Sequence, residues 1–336
     1  MRRWHQILIA FFFVFLIVVI SGLLLNGPTH TENVQTLQQN TPSKPSITPS
    51  NRNAESDPSN VTEPRSDSQV AKMNWYQNQV VVLMYHHVSP TGDKEYTLTP
   101  ELFSEHMKFL HDNDLHPISL TEFLQFVNTG VLSTNNAVLI TFDDGYESFY
   151  KEAYPILKEF NFPSVNFVIA SRLRDSVERK RPNMIPPLTT EEVQEMIGSG
   201  LVEVGSHTYS LHDHIEKNDW GELEPGTAPV YMEDIKHVED DDTYRNRLYV
   251  DFTMSRVALS DLVHKPIVSL SLPHGFTNQE VLDTAKDAGY HYVFNSRRGV
   301  VKPGVKPYDI PRFGVGSDYV DVDKLRQIFV ENNSGH

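Results

Sequence analysis

The stretch Asn136-Ala-Val-Leu-Ile-Thr-Phe-Asp-Asp-Gly-Tyr146 decides the fold. Ala137 to Phe142 is a short apolar and β-branched run, the pattern of a buried strand covered on both faces, as in a parallel sheet. Asp143 and Asp144 follow it. Successive side chains of a strand point to opposite sides, so two neighbouring carboxylates at its end are aimed differently. One is expected to grip a metal while the other faces the water to be activated. Gly145 lets the chain turn sharply and lets its backbone approach a ligand. A strand ending in a solvated Asp-Asp-Gly turn stays open on this stretch alone, because Asp and Gly are common turn residues.

Working outward, strand and helix signals alternate. Gln79 to Met84 reads as a second buried strand that runs into Tyr85-His86-His87. Thr99 caps an amphipathic helix with Pro100 in its first turn, and Ser119 to Val127 repeats the pattern. After the central strand come a helix over 147–160, a strand from Ser164 to Ala170, and a helix from Thr189 to Ser199 with Thr189 and Glu192 at capping-box spacing. Gly200 ends that helix, and Leu201 to Gly205 is a fourth strand. Such alternation means a parallel α/β architecture.

The chain has 336 residues, a net charge of −15, a hydrophobic fraction of 39% and no cysteine. The charge argues against a nucleic-acid partner. The lack of cysteine excludes disulfides and thiolate metal sites, so any metal here is held by His and carboxylate. Between Ile7 and Leu25 only Ser21 and Gly22 lack an apolar side chain. A helix of that length spans about 28 Å, close to the hydrocarbon core of a bilayer. Residues 1–26 are therefore read as an uncleaved signal anchor, with Arg2 and Arg3 cytoplasmic and the rest of the chain outside. A cleaved signal peptide is the competing reading, although no Ala-x-Ala-like site follows Leu25. Residues 27–73, rich in Thr, Ser, Asn, Gln and Pro, read as a disordered linker. Residues 74–336 are the globular domain.

The second chemistry-bearing stretch follows the fourth strand: Ser206-His-Thr-Tyr-Ser-Leu-His212. His207 and His212 are five apart, about 140° out of phase on an ideal helix, so they can converge only from a loop or a distorted turn. Two His plus one carboxylate is a common set for a catalytic divalent cation with open positions for water. His214 is an alternative ligand. Glu239-Asp-Asp-Asp242 reads as a solvated charge run.

Thr141-Phe-Asp-Asp-Gly145 and Ser206–His212 resemble the first two motifs of the polysaccharide deacetylase family, the NodB-homology domain of carbohydrate esterase family four. The resemblance runs from about Val80 to Val315. The five-residue His spacing is similar to the subgroup that deacetylates poly-β-1,6-N-acetylglucosamine. What this implies is a distorted (β/α)7-type barrel and metal-dependent removal of N-acetyl groups from an extracytoplasmic N-acetylglucosamine polymer. Peptidoglycan, or a non-catalytic glycan-binding role, is the alternative. The implied roles are Asp143 as base, Asp144, His207 and His212 as metal ligands, and His86, as imidazolium, as the acid. Zn²⁺ is the implied ion, with Co²⁺, Ni²⁺ and Fe²⁺ suited to the same ligands. Ile310–Gly314 is similar to the late Arg-bearing strand and brings Arg312 into the catalytic set, where it either holds Asp143 ionised or makes a structural salt bridge. Tyr146, Pro273, His274 and Gly275 are expected to line the substrate groove, although in Leu270-Ser-Leu-Pro-His-Gly275 His274 stands where the family has a Tyr. No Leu-x-His motif lies near the C-terminus, which favours His86 as the acid.

Overall fold

The computed structural model describes residues 74–91, 95–173 and 184–333. The expected membrane anchor (1–26) and linker (27–73) lie outside the described residues. Among the described residues no helix is long and apolar enough to cross a membrane.

Seven parallel strands carry the domain: β1 (Val80–Tyr85), β2 (Ala137–Phe142), β3 (Ser164–Val168), β4 (Val202–Ser206), β5 (Ser269–Ser271), β6 (Tyr292–Phe294) and β7 (Phe313–Gly314). Their spatial order is β6-β5-β4-β3-β2-β1-β7, with His116–Pro117 paired beside β2. Apart from β7, each strand lies beside its neighbour in sequence. The segment that carries β7 also reaches the opposite edge of the curled sheet. Ile310 bridges Phe294 of β6, and Phe313 pairs with Leu83 of β1.

The helices are α1 (Pro100–Asp112), α2 (Leu120–Thr129), α3 (Tyr154–Phe160), α4 (Thr190–Gly198), α5 (Asp241–Val263), α6 (Gln279–Asp287) and α7 (Val322–Glu331). Thr99 and Ser119 cap α1 and α2, and Thr189 with Glu192 closes a capping box on α4. The helix expected over 147–160 is split: Phe149–Ala153 forms a π turn and α3 begins at Tyr154. Pro155 has no N–H to continue the preceding ladder.

Side-chain alternation divides the apolar residues into two sets. Val80, Val82, Ala137, Leu139, Val165, Phe167 and Phe294 face inward, where Phe123 and Phe126 of α2 close one end. Val81, Leu83, Tyr85, Val138, Ile140 and Phe142 face the outer helices, joined by Phe103, Met107 and Leu110 of α1 and by Leu325 and Phe329 of α7. Each fully buried Phe contributes about 1.5–3 kcal/mol. On β2 the inward series Ala137, Leu139, Thr141 extends by the same parity to Asp143, so Asp144 is aimed the other way.

In the acidic stretch Asp240, Asp241 and Asp242 are exposed, as a solvated charge run requires, and Glu239 departs from that expectation. Residues 214–216 pair with 223–225, and 231–232 with 237–238, as two small antiparallel hairpins. Glu239 is buried and takes the guanidinium of Arg247. Asp240 caps α5 by accepting from Thr243 N at 2.7 Å. Asp241 and Asp242 fill the first turn of that helix, where negative charge suits the helix dipole.

His106 of α1 is fully buried. Its Nδ1 lies 3.2 Å from Tyr85 Oη and its Nε2–H donates to Val320 O (2.8 Å), an arrangement that neutral imidazole satisfies with the Tyr85 hydroxyl as donor. Burial lowers its pKa to about 4, despite the opposing carbonyl bond and Asp321. Between that value and the ordinary value near 6.5, the unfolded chain binds a proton that the folded chain refuses. Stability therefore falls as pH drops through this window and stops falling below it, by at most about 3 kcal/mol. Denaturant unfolding between pH 7 and 4.5 should show a smaller loss of stability in His106→Gln than in the parent, and equal slopes would contradict this assignment. At Gly205 a Cβ would lie 2.4 Å from the Phe167 ring. Gly205→Ala should cost about 1–3 kcal/mol in the same measurement.

Candidate metal centre and active site

The chemistry-bearing residues sit at or just beyond the C-terminal ends of parallel strands, where open α/β sheets and barrels place their ligands. His86 follows β1, Asp143 and Asp144 follow β2, His207 follows β4, and Pro273–Gly275 follow β5. Arg312 precedes β7.

Asp143 is buried and bound by a guanidinium fork. Arg312 Nη1 donates to Oδ1 at 2.8 Å and Nη2 to Oδ2 at 2.7 Å, while Ser271 Oγ donates to Oδ2 at 3.1 Å. Arg312 is itself buried and donates from Nε to Asn295 O at 3.0 Å. Its guanidinium lies over the Phe167 ring. Burial alone would raise the Asp143 carboxyl. The Arg312 charge, with lesser help from His207 and His86, outweighs that and holds it below the usual carboxylate range. Holding Asp143 ionised and forming a buried salt bridge, posed as alternatives for Arg312 by the sequence, are one interaction. Oδ2 is filled by two donors. Oδ1 takes only Nη1, so a lone pair remains there.

Asp144 is turned out of strand geometry, with φ +75° followed by Gly145 at φ +70°. A Cβ on Gly145 would also lie 2.9 Å from Val168 Cγ1. Asp144 Oδ1 is buried and receives no hydrogen bond. It faces His212 Nε2 at 2.9 Å and His207 Nε2 at 3.3 Å. His207 Nδ1 lies 2.9 Å from Ser271 O. A carbonyl only accepts, so Nδ1 carries the hydrogen, and in the neutral ring Nε2 is a bare lone pair pointing at the carboxylate. The Asp144 oxygen and the His207 lone pair therefore point at one another.

The donor set fits a divalent cation. One ligand atom from each of Asp144, His207 and His212 lies within 4.8 Å of the other two. Ligands about 2.0–2.1 Å from a tetrahedral ion stand about 3.3 Å apart. The Ser271 carbonyl supplies the outer hydrogen bond that orients a metal-binding imidazole. His212 is partly open to solvent, so one side of the cluster is accessible. His214 lies outside the cluster, exposed at the start of the first hairpin.

His86 is within electrostatic reach of both carboxylates. Burial lowers its pKa, and the raising effects of Asp144 and Asp143 do not cancel it. Arg312 and His207 act in the same direction as burial. Its neighbour His87 bonds Ser148 Oγ at 2.6 Å and meets the Tyr146 ring edge-on. Tyr146 is partly buried, and burial together with the Asp144 charge raises its hydroxyl, which stays protonated.

The turn after β5 packs against the loop that carries His212. Pro273 is buried, and His274 has φ +55°. His274 Nε2 bonds His212 O at 2.8 Å, and its ring lies between those of His212 and His214. Gly275, at φ +67°, leaves room for Ser296. This turn therefore supports the loop that carries a metal-binding imidazole. Ser271 is the residue that sequence reasoning missed. It contacts Asp143, Arg312 and His207, and its only sequence signal is its place at the end of a buried strand.

Residues 132–293 match the family model for polysaccharide deacetylase. The chain is 26% identical over 266 residues to the poly-beta-1,6-N-acetyl-D-glucosamine N-deacetylase of Staphylococcus aureus (strain MSSA476), covering 75% of this chain and 84% of that protein. A solved de-N-acetylase from Aggregatibacter actinomycetemcomitans superposes with a TM-score of 0.67 at 29% identity, covering 74% of this chain and 99% of that one. The BpsB deacetylase domain from Bordetella bronchiseptica superposes with a TM-score of 0.62 at 25% identity, covering 71% and 96%. The sequence motifs, the curled parallel sheet and these likenesses agree: residues 132–293 carry the match to the polysaccharide deacetylase family, and the chain is similar to deacetylases along most of its described length.

Proposed function

We propose that this protein is a metal-dependent N-deacetylase of an N-acetylglucosamine polymer, with poly-β-1,6-N-acetylglucosamine as its substrate. The observation that carries this reading is the pair of adjacent carboxylates with opposite partners. Asp144 Oδ1 is aimed at the Nε2 atoms of two imidazoles, and Asp143 is kept ionised by Arg312 with one lone pair left over. The substrate assignment is supported by the names of the relatives and by the five-residue His207–His212 spacing. The fold is read as the distorted (β/α)7-type barrel with its site at the strand ends. Residues 7–25 are read as a membrane anchor that holds the domain on the extracytoplasmic side through the 27–73 linker.

Asp144, His207 and His212 would hold the cation, with Zn²⁺ first and Co²⁺, Ni²⁺ or Fe²⁺ suited to the same donors. When bound, such an ion supplies Lewis acidity that makes water more acidic and polarises an acetyl carbonyl. Asp143 Oδ1 takes the proton of the attacking water, and the fork of Arg312 fixes where that oxygen points. Tyr146 stays protonated and has a hydrogen to give to an acetyl oxygen. As the amide C–N bond breaks, the nitrogen needs a proton. His86, at the end of β1, lies within electrostatic reach of the carboxylates and is held below its ordinary pKa, so as imidazolium it gives up its proton readily to the leaving amine. The products are acetate and a polymer with free amines.

Acetate release from β-1,6-linked N-acetylglucosamine oligomers should be abolished by a chelator and restored by Zn²⁺ or Co²⁺. It should exceed release from β-1,4-linked chitin oligomers and from peptidoglycan. Chelator-resistant release would contradict the metal assignment, and faster release from peptidoglycan would reassign the substrate. Asp143→Asn should keep its metal and lose turnover by about 10²–10⁴-fold. It should also lower Tm, because Arg312 is left as a buried charge with half its partner. His207→Ala should lose both metal and turnover. Equal metal loss in the two variants, measured by elemental analysis, would reverse the assigned roles.

A further inference from the structure

The two imidazoles that face Asp144 are joined by a turn whose middle has no partner within itself. Thr208 takes φ +68°. Its Oγ1 accepts from Leu211 N at 3.1 Å, and its own N donates to Ser206 Oγ at 3.2 Å. The next two amides, Tyr209 N and Ser210 N, point together out of the turn. Consecutive N–H groups converging in this way form a nest that calls for an anion. Asp251 of α5 fills it: Tyr209 N reaches Oδ1 at 2.8 Å, Ser210 N reaches Oδ2 at 2.8 Å, and Ser210 Oγ adds a bond to Oδ2 at 3.0 Å. The carboxylate is buried. Only a group with two acceptor oxygens satisfies both amides, since an amide side chain would set one N–H against another.

The neighbours of Asp251 on its own helix show what that anchoring references. Four residues on, Ser255 Oγ lies 2.7 Å from Ser206 Oγ, at the end of the strand that delivers His207. Four residues back, Arg247 holds Gly226 O, Ala228 O and the carboxylate of Glu239. Positions 247, 251 and 255 share one face of α5. That face ties the hairpin insert, the His207–His212 turn and the end of β4 to one rigid element.

We infer that Asp251 is a positioning residue that sets the reach of His212 relative to His207, and so the geometry of the three-ligand site. The inference rests on reading Asp144, His207 and His212 as that site. Its consequence is that metal affinity depends on a helix whose side chains touch no metal ligand.

The test uses the full chain and its Asp251→Asn and Ser210→Ala variants. Zn²⁺ affinity is measured by chelator competition, the visible spectrum with Co²⁺ in place of Zn²⁺, and the Tm of the metal-free proteins in chelator. Asp251→Asn should bind Zn²⁺ about 10–100-fold more weakly. Its Co²⁺ bands should shift, and kcat should fall by a larger factor than KM rises. Ser210→Ala removes one bond and strands no buried anion, so it should weaken Zn²⁺ binding by about two- to tenfold. If Asp251→Asn does not fold, Ser210→Ala decides. A folded variant with parental Zn²⁺ affinity and Co²⁺ spectrum, whatever its Tm, overturns the inference and leaves the site reading intact. A parent that binds neither ion overturns both.

Discussion

The buried ion pair between Asp143 and Arg312 is the constraint on which the rest of the site depends. Two opposite charges are taken out of water, and breaking such a pair costs about 3–5 kcal/mol because one charge is left uncompensated. The pair survives because its geometry is a full fork, with Ser271 and Asn295 satisfying further groups. Arg312 also lies between Ile310, which bridges β6, and Phe313, which pairs with β1. The segment that joins the two edges of the sheet therefore also places the cation that keeps Asp143 ionised. Sheet geometry and the charge state of the base are set by the same few residues.

Because Asp143 is committed inward, strand alternation and a left-handed turn send Asp144 the other way, towards His207 and His212. Positive φ values recur near the strand ends, at Asp144, Thr208 and His274. Each costs energy in a residue that carries a Cβ, and such conformations persist where surrounding structure imposes them. Here the surroundings are visible. Gly145 follows Asp144 in the same conformation, Asp251 holds the turn after Thr208, and His274 is bonded to the carbonyl of His212. The strained backbone aims three donors at one point instead of relaxing into separate turns.

Much of this was legible in the sequence, and what was not has a common cause. The Ala137–Phe142 strand, the caps at Thr99, Ser119 and Thr189, and the strand-helix alternation are local signals, readable from spacing and residue type. The Asp143–Asp144 split follows from a period of two, and the need for a loop between His207 and His212 follows from a period of 3.6. Ser271, Asp251 and His106 gave no such signal, since each is an ordinary polar residue whose partners lie tens of residues or more away. Glu239 was misread because a charge run looks solvated until Arg247, one helix face away, is seen beside it. Nor does sequence order show that the His274 turn packs against the His212 loop.

The central claim is that Asp144 Oδ1, His207 Nε2 and His212 Nε2 meet on one divalent ion while Asp143 stays free beside it. Anomalous diffraction at the zinc or cobalt edge from metal-loaded crystals tests it most directly. The account predicts a single strong peak within about 2.0–2.2 Å of those three atoms, with Asp143 still forked by Arg312. A peak held elsewhere, such as on the carboxylates of the hairpin insert, or an ion that draws Asp143 away from Arg312, would contradict it.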